Sequence, residues 1–366
     1  MKAFFLRRKK LPLWLLADLC LLAAFFLCRG NRRWMNALTS RVTTPLQAAL
    51  GHLTARVPFS VMEAIGACLA VGAVLYAVWS VFAVARSDHR RSRLYSAALG
   101  AVCAALTAAA AACFLWGVYF WADGFQDRSG IYAQPVSRED LTAVTSYFAQ
   151  QLGETAEGVA RDEGGVFAVD RETILSQAPE VYTALEAEFP FLTFADTGVK
   201  PMAFSRLMSR MDFTGFYCAF TGEANVNVDS PACLLPSTAA HEMAHQRGIA
   251  SEQECNFLAV LASTASGDPV YAYSGWLMGY IYLGNALYSA DPEAYWAIRD
   301  TLPDTVRADL ADNNAYWDQF RDTVAQTVSN KVYDGILKSY GDQRGIRSYG
   351  TVVDLLVVYY RDRCAA

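Results

Sequence analysis

Residues 237–256 read Ser-Thr-Ala-Ala-His-Glu-Met-Ala-His-Gln-Arg-Gly-Ile-Ala-Ser-Glu-Gln-Glu-Cys-Asn. Within them, His241, Glu242 and His245 form an HExxH pattern. On a helix, positions i and i+4 lie on one face, so both imidazoles can grip one metal ion. Glu242 then stands where a carboxylate can take a proton from a metal-activated water. The chain has four histidines. His52 and His89 lie far upstream between apolar segments, and none follows His245. A third ligand from downstream must therefore be a carboxylate or a thiolate. Ser251–Ala259 reads as the start of a second helix, on which Glu252 and Asn256 share a face. Glu254 turns away from them, toward Phe257, Leu258 and Leu261. Glu252 is the expected third ligand and Glu254 its alternative. Cys255, a lone cysteine on an apolar-leaning helix, reads as packing. Two histidines and one glutamate leave a fourth zinc position open, which is the catalytic arrangement. One Zn2+ per chain is the cofactor expected, and Asn256 is placed to hold the Glu252 carboxylate.

The elements that must position these groups follow from their neighbours. Ser237 or Thr238 suits an N-cap, and Ala239, Ala240, Met243 and Ala244 favour helix. Gly248 is a natural C-cap. Phe213–Phe220 suits a strand, and Thr221–Asp229 adds alternation at Val226 and Val228. Phe220–Asn227 is expected to edge the cleft, where a strand can pair with an extended substrate. Glu223 and Asn225 either touch that substrate or serve the turn after Gly222. Charge developing in the reaction would need a tyrosine or Arg247 nearby. Val270–Ala290 reads as a buried core helix over the metal helix, and Tyr316–Leu337 as one long amphipathic helix. Ser137–Glu157 and Glu172–Glu188 are also expected to be helical.

The chain has 366 residues, 54% hydrophobic and 18% charged, with net charge −5. The apolar excess is concentrated at the front. Leu11–Cys28, Val61–Ala85 and Ala97–Trp121 each reach the length that crosses a bilayer. The third ends in Trp116, Tyr119, Phe120 and Trp121, which suit a membrane interface. Basic residues before position 11 and in Arg86–Arg93 belong in the cytoplasm, although Arg29–Ser60 carries arginines too. Three spans from an inside N-terminus put everything after Trp121 outside the cytoplasm. Thr43–Ser60 is partly amphipathic and reads as lying on the membrane surface. The fold class expected is mainly α: transmembrane helices over residues 1–122, then an α+β domain with a small sheet over 123–366. The expected localisation is the cell membrane, multi-pass. Glu and Asp dominate the second part, which excludes nucleic acid as a partner and leaves the bilayer and a peptide or protein substrate. Five of nine cysteines sit in or at the ends of apolar runs, and Cys218 and Cys233 stand close enough in sequence to pair.

HExxH followed by a Glu-x-x-x-Asn helix resembles the glutamate-zincin metallopeptidases (gluzincins). Phe220-Thr-Gly-Glu-Ala-Asn-Val-Asn227, Leu235-Pro, His241–Gly248, Glu252–Phe257 and Ser348–Leu356 together resemble a bacterial membrane family of unknown function, the domain-of-unknown-function 3810 type. The resemblance implies a zincin-like fold and a zinc-dependent hydrolase of peptide bonds, with Glu242 as general base. A non-catalytic membrane sensor or assembly protein on the same fold is the rival expectation.

Overall fold

A computed structural model describes residues 10–321, 323–339 and 349–364. The chain is mainly helical, with one small mixed sheet. Its principal helices in chain order are α1 (Lys10–Cys28), α2 (Thr44–Thr54), α3 (Val61–Ala85), α4 (Arg90–Leu115), α5 (Arg138–Thr155), α6 (Ser205–Arg210), α7 (Leu235–Gln246), α8 (Glu252–Ala265), α9 (Pro269–Ala290), α10 (Val324–Ser339) and α11 (Tyr349–Tyr360). The strands are β1 (Val199–Pro201), β2 (Gly215–Cys218) and β3 (Glu223–Val226).

Helices α1, α3 and α4 are long and apolar enough to cross a membrane. Their side chains face outward almost everywhere, since α3 has no buried residue in its apolar window. Helix α4 starts seven residues before the apolar run, so Arg90, Arg91 and Arg93 form its first turn rather than a loop. The acid inside the first apolar run is satisfied locally: the Thr107 hydroxyl on α4 lies 3.0 Å from a carboxylate oxygen of Asp18. The basic residues through Lys9 lie outside the described residues.

The sheet has the order β1-β3-β2, with β1 parallel and β2 antiparallel to the central β3. Ala224 and Val226 of β3 are fully buried. Helix α7 packs against this sheet, and α5, α8, α9 and α11 pack behind it around one core that includes Phe148, Met243, Leu258 and Leu277. Local sequence explains several helix starts. Ser137 accepts from Asp140 N at 3.0 Å, and Asp268 accepts from Val270 N at 2.8 Å just ahead of Pro269. Helix α9 is a core helix, as its buried Tyr271, Tyr273, Trp276 and Tyr280 require.

Two expected helices are corrected. The 172–188 segment breaks at Pro179 into Arg171–Gln177, a 3₁₀ turn and Thr183–Glu188, because proline cannot continue the first helix. The 316–337 segment splits between Asp304–Asp318 and α10. Residues 44–54 pack beside the sheet: the Thr54 hydroxyl donates to Thr221 O at 3.2 Å in the turn between β2 and β3, and Gln47 to Leu115 O at 2.5 Å at the end of α4. Cys218 and Cys233 are both free.

The ends of the apolar helices are built into the remaining fold. Glu223 of β3 accepts from Val61 N and Met62 N at 3.0 and 2.9 Å, capping α3. Lys200 of β1 donates to Glu223 at 2.6 Å and to the carbonyls of Thr54 and Phe59 at 2.7 and 3.0 Å. Glu63 returns the favour, accepting from Ala203 N and Phe204 N at 2.8 Å just before α6.

Candidate metal centre

Helix α7 begins at Leu235, two residues earlier than Ser237, because Pro236 is preorganised for a first turn. It ends in a Schellman cap. Gly248 has φ +80°, its N–H donates to His245 O at 2.9 Å, and Ile249 N donates to Ala244 O at 3.3 Å. A side chain at 248 would also collide with the Tyr119 ring, 3.1 Å from its Cδ1. That cap throws the Ile249 carbonyl back over the helix end, where it sits 2.7 Å from His245 Nδ1. The next turn starts α8 at Glu252 and brings it face to face with α7.

His241, His245 and Glu252 offer ligand atoms that all lie within 4.8 Å of one another. His241 Nε2 is 3.2 Å and His245 Nε2 3.6 Å from the Glu252 carboxylate. Zinc bonds of ~2.0–2.1 Å in a tetrahedron set donors ~3.4 Å apart, so this spacing fits that ion. The outer nitrogens strengthen the fit. His241 Nδ1 is 2.8 Å from Asn256 Oδ1, and His245 Nδ1 faces the Ile249 carbonyl. Both acceptors call for a proton on Nδ1, which leaves each Nε2 lone pair aimed at the shared centre. Asn256 thus supports His241 rather than Glu252, as expected from its own helix face. Cys255 Sγ lies 3.3 Å from His245 Nδ1, on the side away from the centre, and burial pushes its thiol up to about 12. It is a packed thiol and no ligand.

Glu254 is excluded from the centre by its own bonds. Its carboxylate accepts from Phe125 N at 2.7 Å and from Gln126 N at 3.2 Å, capping the short Phe125–Ser129 helix. Glu242 is buried between α7 and β2. Burial raises its carboxyl to about 7, against the pull of both imidazoles and of a hydrogen bond from the Tyr217 backbone. Gly215 makes room for it: a Cβ there would come within 2.7 Å of Glu242 Cγ. Burial opposes ionisation of Glu252 too, but His245 and His241 outweigh it and hold this carboxyl well below its usual range.

The centre opens into a cleft of about 790 Å³. Thr214–Phe220 forms one wall, Met278 and Ile281 of α9 another, and Asn330 and Tyr333 of α10 a third. The sheet edge at the cleft is therefore β2, and not the 220–227 segment as a whole. Phe220 lines the cleft, but Glu223 and Asn225 do not. Glu223 is spent on Lys200 and α3, while Asn225 Nδ2 donates to Phe216 O and Glu223 O at 3.3 and 3.2 Å.

Two contributors escape the sequence pattern. The Tyr333 hydroxyl donates to Glu252, and its ring packs edge-on to Phe213 at 5.4 Å. Burial raises this phenol well above its usual value, so it remains a proton donor. Trp116, just past α4, lies with its ring 5.3 Å from His245 and 5.5 Å from Tyr217. Arg247 does not reach the cleft. Its guanidinium takes both Asp196 oxygens at 2.7 Å and Glu186 at 2.9 Å, and lies over the Tyr182 ring.

A family model described as "Protein of unknown function (DUF3810)" matches residues 40–357. No curated protein matches the chain, and no solved structure does.

Proposed function

The chain belongs to the DUF3810 family, and we propose that it is a membrane-anchored, zinc-dependent metallopeptidase with a zincin-like fold. The observation that carries this reading is the convergence of two Nε2 atoms and the Glu252 carboxylate, with both Nδ1 atoms already engaged, on a cleft that also holds Glu242. A structural zinc site has no need of that fourth, buried carboxylate. Zinc held by His241, His245 and Glu252 would supply a Lewis acid and a water acidic near pH 7.

The chain's own groups do the rest. Glu242, whose burial sets its carboxyl near neutrality, takes the proton of the attacking water and returns it to the leaving amine. Tyr333 keeps its proton and stands beside the ligand carboxylate, where its hydroxyl can turn to the oxygen that gains charge. Strand β2 is an edge strand, so its outward backbone groups can pair with an extended substrate. The protein takes a peptide or protein substrate.

Orientation follows from charge. Arg86, Arg90, Arg91 and Arg93 lie at the ends of α3 and α4 remote from the metal centre. By the positive-inside rule this end faces the cytoplasm and the centre lies outside it. The test is zinc per chain in the purified full chain beside its His245→Ala variant, by elemental analysis. One equivalent in the parent and none in the variant is expected. Zinc-free parent protein sinks the reading.

A further inference from the structure

We infer that the cleft takes membrane-anchored polypeptides and acts on them where they leave the bilayer; this rests on the peptidase reading above. The cleft is walled in part by a membrane helix. Ala112, in the last turn of α4, and Trp116, just beyond it, line the same space as His241 and Glu242. The apolar window of α4 is only 17% buried, so its remaining surface is left for lipid. A chain rising from the bilayer beside α4 therefore meets Ala112 and Trp116 on its way to the metal ligands.

The β2 wall suits the same occupant. Phe216 and Phe220 are 41% and 49% exposed, on and just beyond an edge strand. Exposed aromatics beside unpaired strand backbone suit an extended apolar peptide. Gln253 also lines the cleft and is 4% exposed.

The reach can be bounded. Trp116 directly follows the last residue of α4 and its ring lies 5.3 Å from that of His245. The reacting bond therefore lies close to the end of α4.

The test uses the full zinc-loaded chain in phosphatidylethanolamine–phosphatidylglycerol vesicles. One probe is a randomised peptide segment fused to a leucine–alanine span. A second is the same segment free in solution, and a third has a flexible Gly/Ser spacer between span and segment. Cuts are mapped by mass spectrometry. The anchored probe is expected to be cut near the bilayer, at least ~tenfold faster than the free one, since anchoring raises its effective concentration at the cleft. The spacer is expected to abolish cutting within the displaced segment. Equal cutting of all three overturns the substrate class and leaves the peptidase reading standing.

A second measurement covers a chain that cuts nothing. Benzoylphenylalanine in place of Phe220, in a Glu242→Gln background, is irradiated with the anchored probe present. Capture of the probe supports the occupant while hydrolysis falls. Capture of lipid alone, or of nothing, overturns the proposal.

Discussion

Removing the side-chain carbonyl that holds His241 should weaken zinc binding without changing its stoichiometry. Asn256 Oδ1 sits 2.8 Å from His241 Nδ1, and the His241 side chain is only 12% exposed. In Asn256→Ala little water can replace the lost acceptor, so the ring is free to move its proton to Nε2 and to rotate. Binding must then restore the tautomer and the orientation that the parent holds in advance. Loss of such a supporting group weakens a metal site by about 10–100-fold, or about 1.4–2.8 kcal/mol. The near-complete burial of the pair points to the upper half of that range. The assay is competition against a chromophoric chelator, with the full chain in detergent. Asn256→Asp restores the acceptor and should recover parental affinity or exceed it. Glu254→Gln, whose carboxylate binds Phe125 and Gln126 instead, should leave affinity unchanged even if it lowers stability. Asn256→Ala binding zinc within twofold of the parent would refute the argument from tautomers.

Glu242→Gln should keep one zinc and lose turnover by about 10²–10⁴-fold; a variant as active as the parent removes Glu242 from the chemistry. Gly215→Ala drives a methyl into Glu242, so it should cost about 1–3 kcal/mol of stability by overpacking. It should also reduce turnover in protein that remains folded at assay temperature, and an unaltered melting curve would show that β2 yields. Glu223→Leu strands the buried Lys200 ammonium and should destabilise by about 3–5 kcal/mol, read by chemical denaturation. Lys200→Met with Glu223→Leu together should recover part of that loss, and a double variant no better than the single one would discount the pair. Tyr333→Phe should retain zinc and lower kcat more than KM, because its hydroxyl is assigned to charge that appears during reaction.

The histidine pair was legible because an i, i+4 repeat survives any tertiary context, and Glu252 because its helix could offer few other ligands. Asn256 was found but given the wrong partner. Spacing along one helix pairs it with Glu252, whereas only the α7–α8 packing brings His241 to it. Glu223 and Asn225 looked like cleft residues because they follow a turn near the motif. The strand order then put β3 in the middle of the sheet, and their side chains went to Lys200 and to backbone carbonyls. Tyr333 lies 81 residues beyond Glu252, on a helix whose pattern says only that it is amphipathic. Trp116 announced a membrane interface, and nothing local to it announced a histidine 5.3 Å away. Ser348, the first residue of the late Ser348–Leu356 stretch, lies outside the described residues.

The Lys200–Glu223 pair ties the sheet to the first third of the chain. Lys200 needs the carbonyls of Thr54 and Phe59, and Glu223 needs the amides of Val61 and Met62. A fragment starting at residue 123 keeps both charges and loses every one of those partners. The sheet therefore depends on the segment between the first two apolar helices, which supplies those partners. Gly215 of β2 leaves the room that Glu242 fills, so the same segment also supports the candidate centre. The candidate centre is thus held in place by the first third of the chain as much as by the helices that carry its side chains.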